Sequence, residues 1–447
     1  MVRARHASGI EEIEDGERIS GMSSDNTPAV ESCQQFPFRN FWTVPAFYFL
    51  LTVAAGVPIV LGDTNADGYN DAGAHWNRVL MLLAGHVLPQ VDPDNGSQVG
   101  YATGGGFVAL NNTAVNSPFL YWPSLLSGGN RTLAALLTLL TSAAVVALAI
   151  RLAGRFQLLM AAAALVPMTF LSFVYPTADA VTVSVSFLFI GLILYLLQRP
   201  GLRPVDWVAL CVVAVMLGQL KVTCVLLVAL VLLLAGKLDG WKKLWLAVPA
   251  VFAVASCGLW NRLVSGFAPA PGRVSAADYT ALKSYCLSHP LAVVRSLLAT
   301  MFMPLNDSTE TIDGVKVNIQ RNVQLFTGSE GTPLGSVVMV PVLLAVVLLA
   351  VYSVSLARVR STVSQVVMAL IVVGFFAATV VAMLASWTGS VGGYAEGMQS
   401  RYFIPVLPLF FLLLPRFFRC DRPRFLLACC AALIAWSYIG LVVAHLW

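Results

Sequence analysis

Residues 208–234 read VALCVVAVMLGQLKVTCVLLVALVLLL, an apolar run broken by one charge, Lys221. A stretch this long and this apolar fits the hydrocarbon of a bilayer, not the surface of a soluble domain. A lone ammonium inside it is costly unless it reaches an interface or a partner. The run therefore divides into two membrane helices, 205–219 and 222–236, with Lys221 at the turn between them. Both are short against the roughly 20 residues of a straight crossing. Tilted, broken or partly re-entrant helices are expected here.

The same signal repeats on either side. Further apolar segments lie at 41–61, 132–151, 156–174, 179–198, 244–262, 335–357, 363–385, 402–415 and 425–446. Of the 447 residues, 58% are hydrophobic and 11% charged, against about 25% charged in a soluble chain. The fold class is all-α: a polytopic membrane protein with eleven transmembrane helices. Residues 1–40 are polar and acidic and read as a disordered cytoplasmic tail rather than a signal peptide. The transmembrane domain then runs over 41–447.

Basic residues set the orientation. Arg151 and Arg155; Arg199 and Arg203; Lys237, Lys242 and Lys243; Arg358 and Arg360; and Arg416, Arg419, Arg422 and Arg424 fall an even number of crossings apart. These clusters read as cytoplasmic loops of a plasma-membrane protein, so the net charge of +5 is no nucleic-acid footprint. The N-terminus is inside, and the long loops 62–131, 263–334 and 386–401 face outward. Within the second, Leu282 to Leu298 is amphipathic and suited to the membrane surface. NSPFLYWPSLL, Asn116 to Leu126, reads as an aromatic anchor at the interface. The eight cysteines form no CxxC pair or Cys/His ligand spacing, so no disulfide framework or structural zinc is expected.

Ionisable residues are scarce, and those beside the spans stand out. GDTNADGYNDAGAHWNR, Gly62 to Arg78, follows the first span and carries Asp63, Asp67, Asp71, His75 and Arg78. On a helix Asp71, His75 and Arg78 share one face. An acid, an imidazole and a guanidinium there suit chemistry on anions or hydroxyls; a solvated helix cap with Asp71 at its start is the plainer alternative. Asp179 opens the fourth span, where the helix dipole favours an acid. Arg401 follows a glycine-rich loop and Glu396. A guanidinium there suits a phosphate clamp, with a structural salt bridge as the rival.

These stretches, taken in order, resemble a family. They are a DxxxHxxR-type motif after the first span, NSPFLYWP before the second and PMTFLSFVYPTADA into the fourth. QLKVT, SHPLAVV and EGMQSRYFIPVLP follow. The chain resembles, over about 41–446, the bacterial membrane proteins of domain-of-unknown-function family 2142. That family is similar in layout to the C-type glycosyltransferases, which place a catalytic acid in the first outer loop and use polyprenyl-phosphate sugars. The family's first motif resembles PPDEPAHFxR; here Asp71, His75 and Arg78 match, while Ala72 stands at the glutamate position. Its QGR matches Gln399-Ser400-Arg401.

The resemblance implies an inverting membrane glycosyltransferase with a polyprenyl-phosphate sugar as donor and a glycan or lipid as acceptor. Asp71 and His75 would be catalytic, and Arg78, Asp179, Lys221, Glu396 and Arg401 would bind substrate. Carboxylates of this kind also suit magnesium or manganese, held by Asp71 with Asp63 or Asp67, though the chemistry does not require a metal. A transporter or flippase of lipid-linked glycans, or a non-catalytic envelope-assembly scaffold, is the alternative. No internal repeat is evident, which speaks against a transporter of inverted halves.

Overall fold

The computed structural model describes residues 30–32, 42–62, 71–94, 96, 98–110, 112–267, 274, 276–302, 307–312, 315–320, 336–359, 361–395, 398–416, 418 and 420–446. Seven of its helices are long and apolar enough to cross a membrane: Thr43–Gly62, Arg131–Leu152, Ala178–Leu197, Gly240–Val264, Val337–Leu356, Thr362–Thr388 and Pro423–Leu446. Each falls on a segment expected from the sequence. The remaining expected spans are shorter or broken.

The segment expected as one span over 156–174 is two helices, Gln157–Ala164 and Pro167–Val174. They are bent by 75°. Pro167 is the cause. It has no N–H to donate, and its ring forces Val166 out of the helical region, to φ −61° and ψ 135°. Pro204–Gly218, Val222–Lys237 and Ser400–Leu412 are the shorter apolar helices. Val222–Lys237 is wound as a 3₁₀ helix of 16 residues. With about 2.0 Å of rise per residue it is about 32 Å long, the thickness of a bilayer core. Tight winding gives a short sequence a full-length rod.

Ala178–Leu197 is the central helix, with 89% of its apolar window buried by the rest of the protein. Gly191 lets it lie against Arg131–Leu152, where a Cβ would stand 2.5 Å from the Ala149 carbonyl oxygen. Gly218 does the same for Pro204–Gly218 on Ala247–Val264, with the Ala253 oxygen 2.3 Å from a Cβ. Small residues at such crossings are how membrane helices approach closely.

Three small sheets qualify the all-α expectation. In the first long loop, Gln90–Val91, Val99–Thr103 and Gly106–Leu110 form an antiparallel meander, its second turn made by Gly104 and Gly105. Val99, Tyr101 and Leu110 bury one face of this sheet against Met81. In the next, Asp307–Ile312 pairs with Val315–Gln320. Within the tail expected to be disordered, Val30–Ser32 pairs antiparallel with Ala357–Val359. The amphipathic segment is two helices, Ala276–Ser288 and Pro290–Phe302, interrupted at His289 before a proline.

Candidate functional site

Helix Ala72–Leu83 stands just after the first long helix. Asp71 is its N-cap residue, at φ 60° and ψ 25°. It is the one non-glycine residue with positive φ among the described residues. Such a backbone is strained for a residue with a Cβ. Its carboxylate makes no cap hydrogen bond to its own helix. Instead Oδ2 reaches Arg401 Nη2 at 3.2 Å, across 330 positions of sequence.

Arg401 lies in the 3₁₀ turn Ser400–Val406 and is buried. Its Nε stands 3.3 Å from Asp179 Oδ2. Asp179 sits in the first turn of the central helix, and its Oδ1 accepts from Lys221 Nζ at 2.5 Å. Lys221 is the N-cap residue of the 3₁₀ helix, so the charge that divides the apolar run sits at a break and has a partner. Tyr402 lies beside both cations, its ring centroid 4.9 Å from Lys221 Nζ and 5.6 Å from Arg401 Cζ. The result is a relay, Asp71–Arg401–Asp179–Lys221. Asp179 is buried between two cations, whereas the Asp71 side chain is 58% exposed. Buried ion pairs are tolerable only when each charge is compensated in this way.

His75, one turn beyond Asp71, is buried, and its Nδ1 is 2.7 Å from the Tyr121 hydroxyl. Asn116 Nδ2 donates to that hydroxyl at 2.9 Å. The hydroxyl oxygen thus accepts from Asn116 and shares a second hydrogen bond with His75 Nδ1. Burial pushes the His75 pKa down to about 4, with Lys221 and Arg401 pushing the same way against Asp179 and Asp71. His75 is therefore neutral at pH 7. Between about pH 6.5 and pH 4 the unfolded chain takes up a proton that the folded ring refuses. Stability is then expected to fall as pH drops through that window and to stay flat above it. The loss at low pH is on the order of 3 kcal/mol. Thermal unfolding in detergent from pH 4 to 8 measures it, and His75→Gln should flatten the slope.

Arg78 is fully buried. Its Nη2 donates to the carbonyls of Val87 and Asn116 at 2.9 and 2.8 Å, and Nη1 reaches Met81 Sδ at 3.2 Å. That guanidinium ties the loop together beneath the site and does not face the relay. Ser117 Oγ donates to Gln219 Oε1 at 2.7 Å, and Gln219 Nε2 donates to Ser256 Oγ at 2.7 Å. Trp260 Nε1 donates to the Val115 carbonyl at 2.9 Å. These bonds fasten the first long loop to two neighbouring helices.

The structure thus brings together Asp71, Asp179, Lys221 and Arg401, with His75 close behind. Tyr121, Asn116, Gln219 and Tyr402 belong to the same environment and were not singled out as site residues. Tyr121 lies inside the expected aromatic anchor, yet it is buried and hydrogen-bonded to a histidine. Asp63, Asp67 and Glu396 lie outside the described residues. Among the described residues, no three His, Cys, Asp or Glu side chains are grouped as metal ligands.

A family model described as "Predicted membrane protein (DUF2142)" matches residues 106–410. The chain belongs to the DUF2142 family. Comparison with curated proteins and with solved structures gives no match. The DUF2142 segment contains Asp179, Lys221 and Arg401, three of the four members of the relay. Asp71, His75 and Arg78 precede it. The DUF2142 match therefore covers the anchored cations but not the exposed acid that Arg401 meets.

Proposed function

We propose that this DUF2142 protein is a membrane glycosyltransferase. It moves a sugar from a polyprenyl-phosphate donor to a hydroxyl of a cell-envelope glycan or lipid on the extracytoplasmic face. The observation that carries this reading is the relay itself, which sets a solvent-facing carboxylate on an anchored guanidinium that is linked through Asp179 to a second cation. The basic clusters support the orientation, and the length of the 3₁₀ helix supports an eleven-crossing chain with a glycosyltransferase C-like layout.

The chemistry follows from those charges. Asp71 takes the proton of the acceptor hydroxyl. The acceptor oxygen attacks the anomeric carbon and the carbon–oxygen bond to phosphate breaks. The bonding pair leaves on a phosphate oxygen, where Arg401 and Lys221 stabilise the charge. Attack from the face opposite the leaving phosphate inverts the anomeric centre. Asp179 holds the two cations in place, and Tyr402 packs beside them. The neutral His75–Tyr121 pair forms the wall behind Asp71, Arg78 clamps the loop that carries it, and Glu396 lies close in sequence to Arg401.

The test compares cell-envelope glycans from strains that lack the gene, carry it intact, or carry Asp71→Asn at matched membrane abundance. One sugar residue should vanish from an otherwise intact polymer and return only with the intact gene. Full restoration by Asp71→Asn would point to a scaffold. Loss of whole polymer from the surface, with accumulation inside, would point to an exporter.

A further inference from the structure

A transferase that binds a phosphate through Arg401 faces an obstacle in its own structure. Two of the guanidinium nitrogens already face carboxylates, Nε that of Asp179 and Nη2 that of Asp71. The four charges of the relay also sum to zero, so no net positive charge waits for an anion. A phosphate that takes the Nε and Nη2 side of Arg401 must displace a carboxylate, and the two carboxylates are not equally fixed.

Asp179 is held by both Lys221 and Arg401 and its side chain is 9% exposed. Removing it would strand the buried guanidinium of Arg401 and leave the partly exposed Lys221 without its carboxylate. Asp71 has the opposite character. Its side chain is 58% exposed and makes a single ion pair. Its backbone is in the left-handed region, and its carboxylate has forgone the helix-capping bonds that an aspartate at this position ordinarily makes. A carboxylate released from Arg401 still stands at the N-terminus of helix Ala72–Leu83, where the helix dipole favours an anion.

We propose that Asp71 is a built-in stand-in for the substrate's phosphate: an arriving phosphate ester replaces it on Arg401, and the carboxylate so released becomes the base. This rests on the transferase reading of the site and adds an order of events. The donor phosphate binds first and expels Asp71. The carboxylate released from Arg401 is then free to turn to the acceptor hydroxyl, so base and acceptor meet only when the donor is in place. Asp71 then takes the acceptor's proton as the new glycosidic bond forms and the phosphate departs with the bonding pair. After Asp71 passes that proton to water, its carboxylate returns to Arg401 and displaces the product phosphate. Two charges alternate on one guanidinium, so product release is built into the same exchange.

The test separates binding from chemistry by using a ligand with no sugar to transfer. Farnesyl phosphate is titrated into the full-length protein in lipid nanodiscs, as wild type, Asp71→Asn and Asp71→Gly. Glycine suits the left-handed backbone at this position, so a folding defect in one variant does not remove the test. If the carboxylate occupies Arg401 about nine-tenths of the time, removing it tightens phosphate binding about tenfold. Both variants should therefore bind farnesyl phosphate about tenfold tighter than wild type, and farnesol should bind all three alike. Inorganic phosphate is the third ligand. Tightening for farnesyl phosphate alone assigns the site to a lipid-borne phosphate, and equal tightening for both assigns it to phosphate from either source. Unchanged or weaker binding in both variants overturns the displacement but leaves the transferase reading standing. Farnesyl phosphate that binds no better than farnesol, in wild type and variants alike, overturns the phosphate site itself.

Discussion

Replacing Asp179 with leucine is expected to destabilise the protein by about 3–5 kcal/mol and to cut the folded amount in the membrane several-fold. Asp179 is the centre of the relay, accepting from Lys221 at 2.5 Å and lying 3.3 Å from Arg401. Without it the guanidinium of Arg401 loses a carboxylate in a place from which water is largely excluded, and the partly exposed Lys221 loses its ion-pair partner. The mechanism makes a second prediction that separates it from simple loss of packing. Adding Lys221→Met to Asp179→Leu removes one of the stranded cations. The double variant should recover part of the loss, so the two effects should not add. Thermal unfolding of the purified variants in one detergent gives the coupling. Additive losses would mean that Lys221 and Asp179 act separately, and the relay would not be a unit.

The second large effect is on chemistry. Asp71→Asn is expected to lower turnover by about 10²–10⁴-fold, the usual worth of a positioned general base. Its effect on thermal stability should stay below about 1 kcal/mol, because an ion pair with one exposed partner contributes little to folding. Asparagine also tolerates the left-handed backbone that Asp71 adopts. The contrast between the two aspartates is the expectation to check: one holds the site together, and the other works at its edge. A variant of Asp71 that unfolds the protein, or one of Asp179 that only slows it, would reverse the assignment.

The membrane helices were legible because an apolar run of bilayer length has few alternatives, and all seven long ones fall on expected segments. The four relay residues were legible for a related reason. Charges are rare in this chain, so Lys221 in its apolar run and Arg401 beside a span drew notice on cost alone. What the sequence did not disclose is direction. Arg78 shares a helix face with Asp71 and His75, yet it turns to the Val87 and Asn116 carbonyls, because the loop folds back beneath it. Tyr121 read as an interface aromatic, since nothing in NSPFLYWP says that a histidine 46 residues earlier meets its hydroxyl. The meander over Gln90–Leu110 was missed because glycine-rich sequence carries a weak strand signal. The break at Pro167 was visible as a proline, but a proline is tolerated in many membrane helices, so its 75° consequence was not.

The most direct measurement is of the donor itself. Lipid extracts from cells lacking the gene, carrying it intact, and carrying Asp71→Asn are compared by mass spectrometry for polyprenyl phosphates bearing one sugar. The account predicts that a single glycosylated polyprenyl phosphate accumulates without the protein, falls to the normal level with the intact gene, and stays high with Asp71→Asn. Its sugar would match the residue missing from the envelope glycan. A lipid pool identical in all three strains would contradict a polyprenyl-phosphate-dependent transferase, and with it the role given to Arg401 and Asp71.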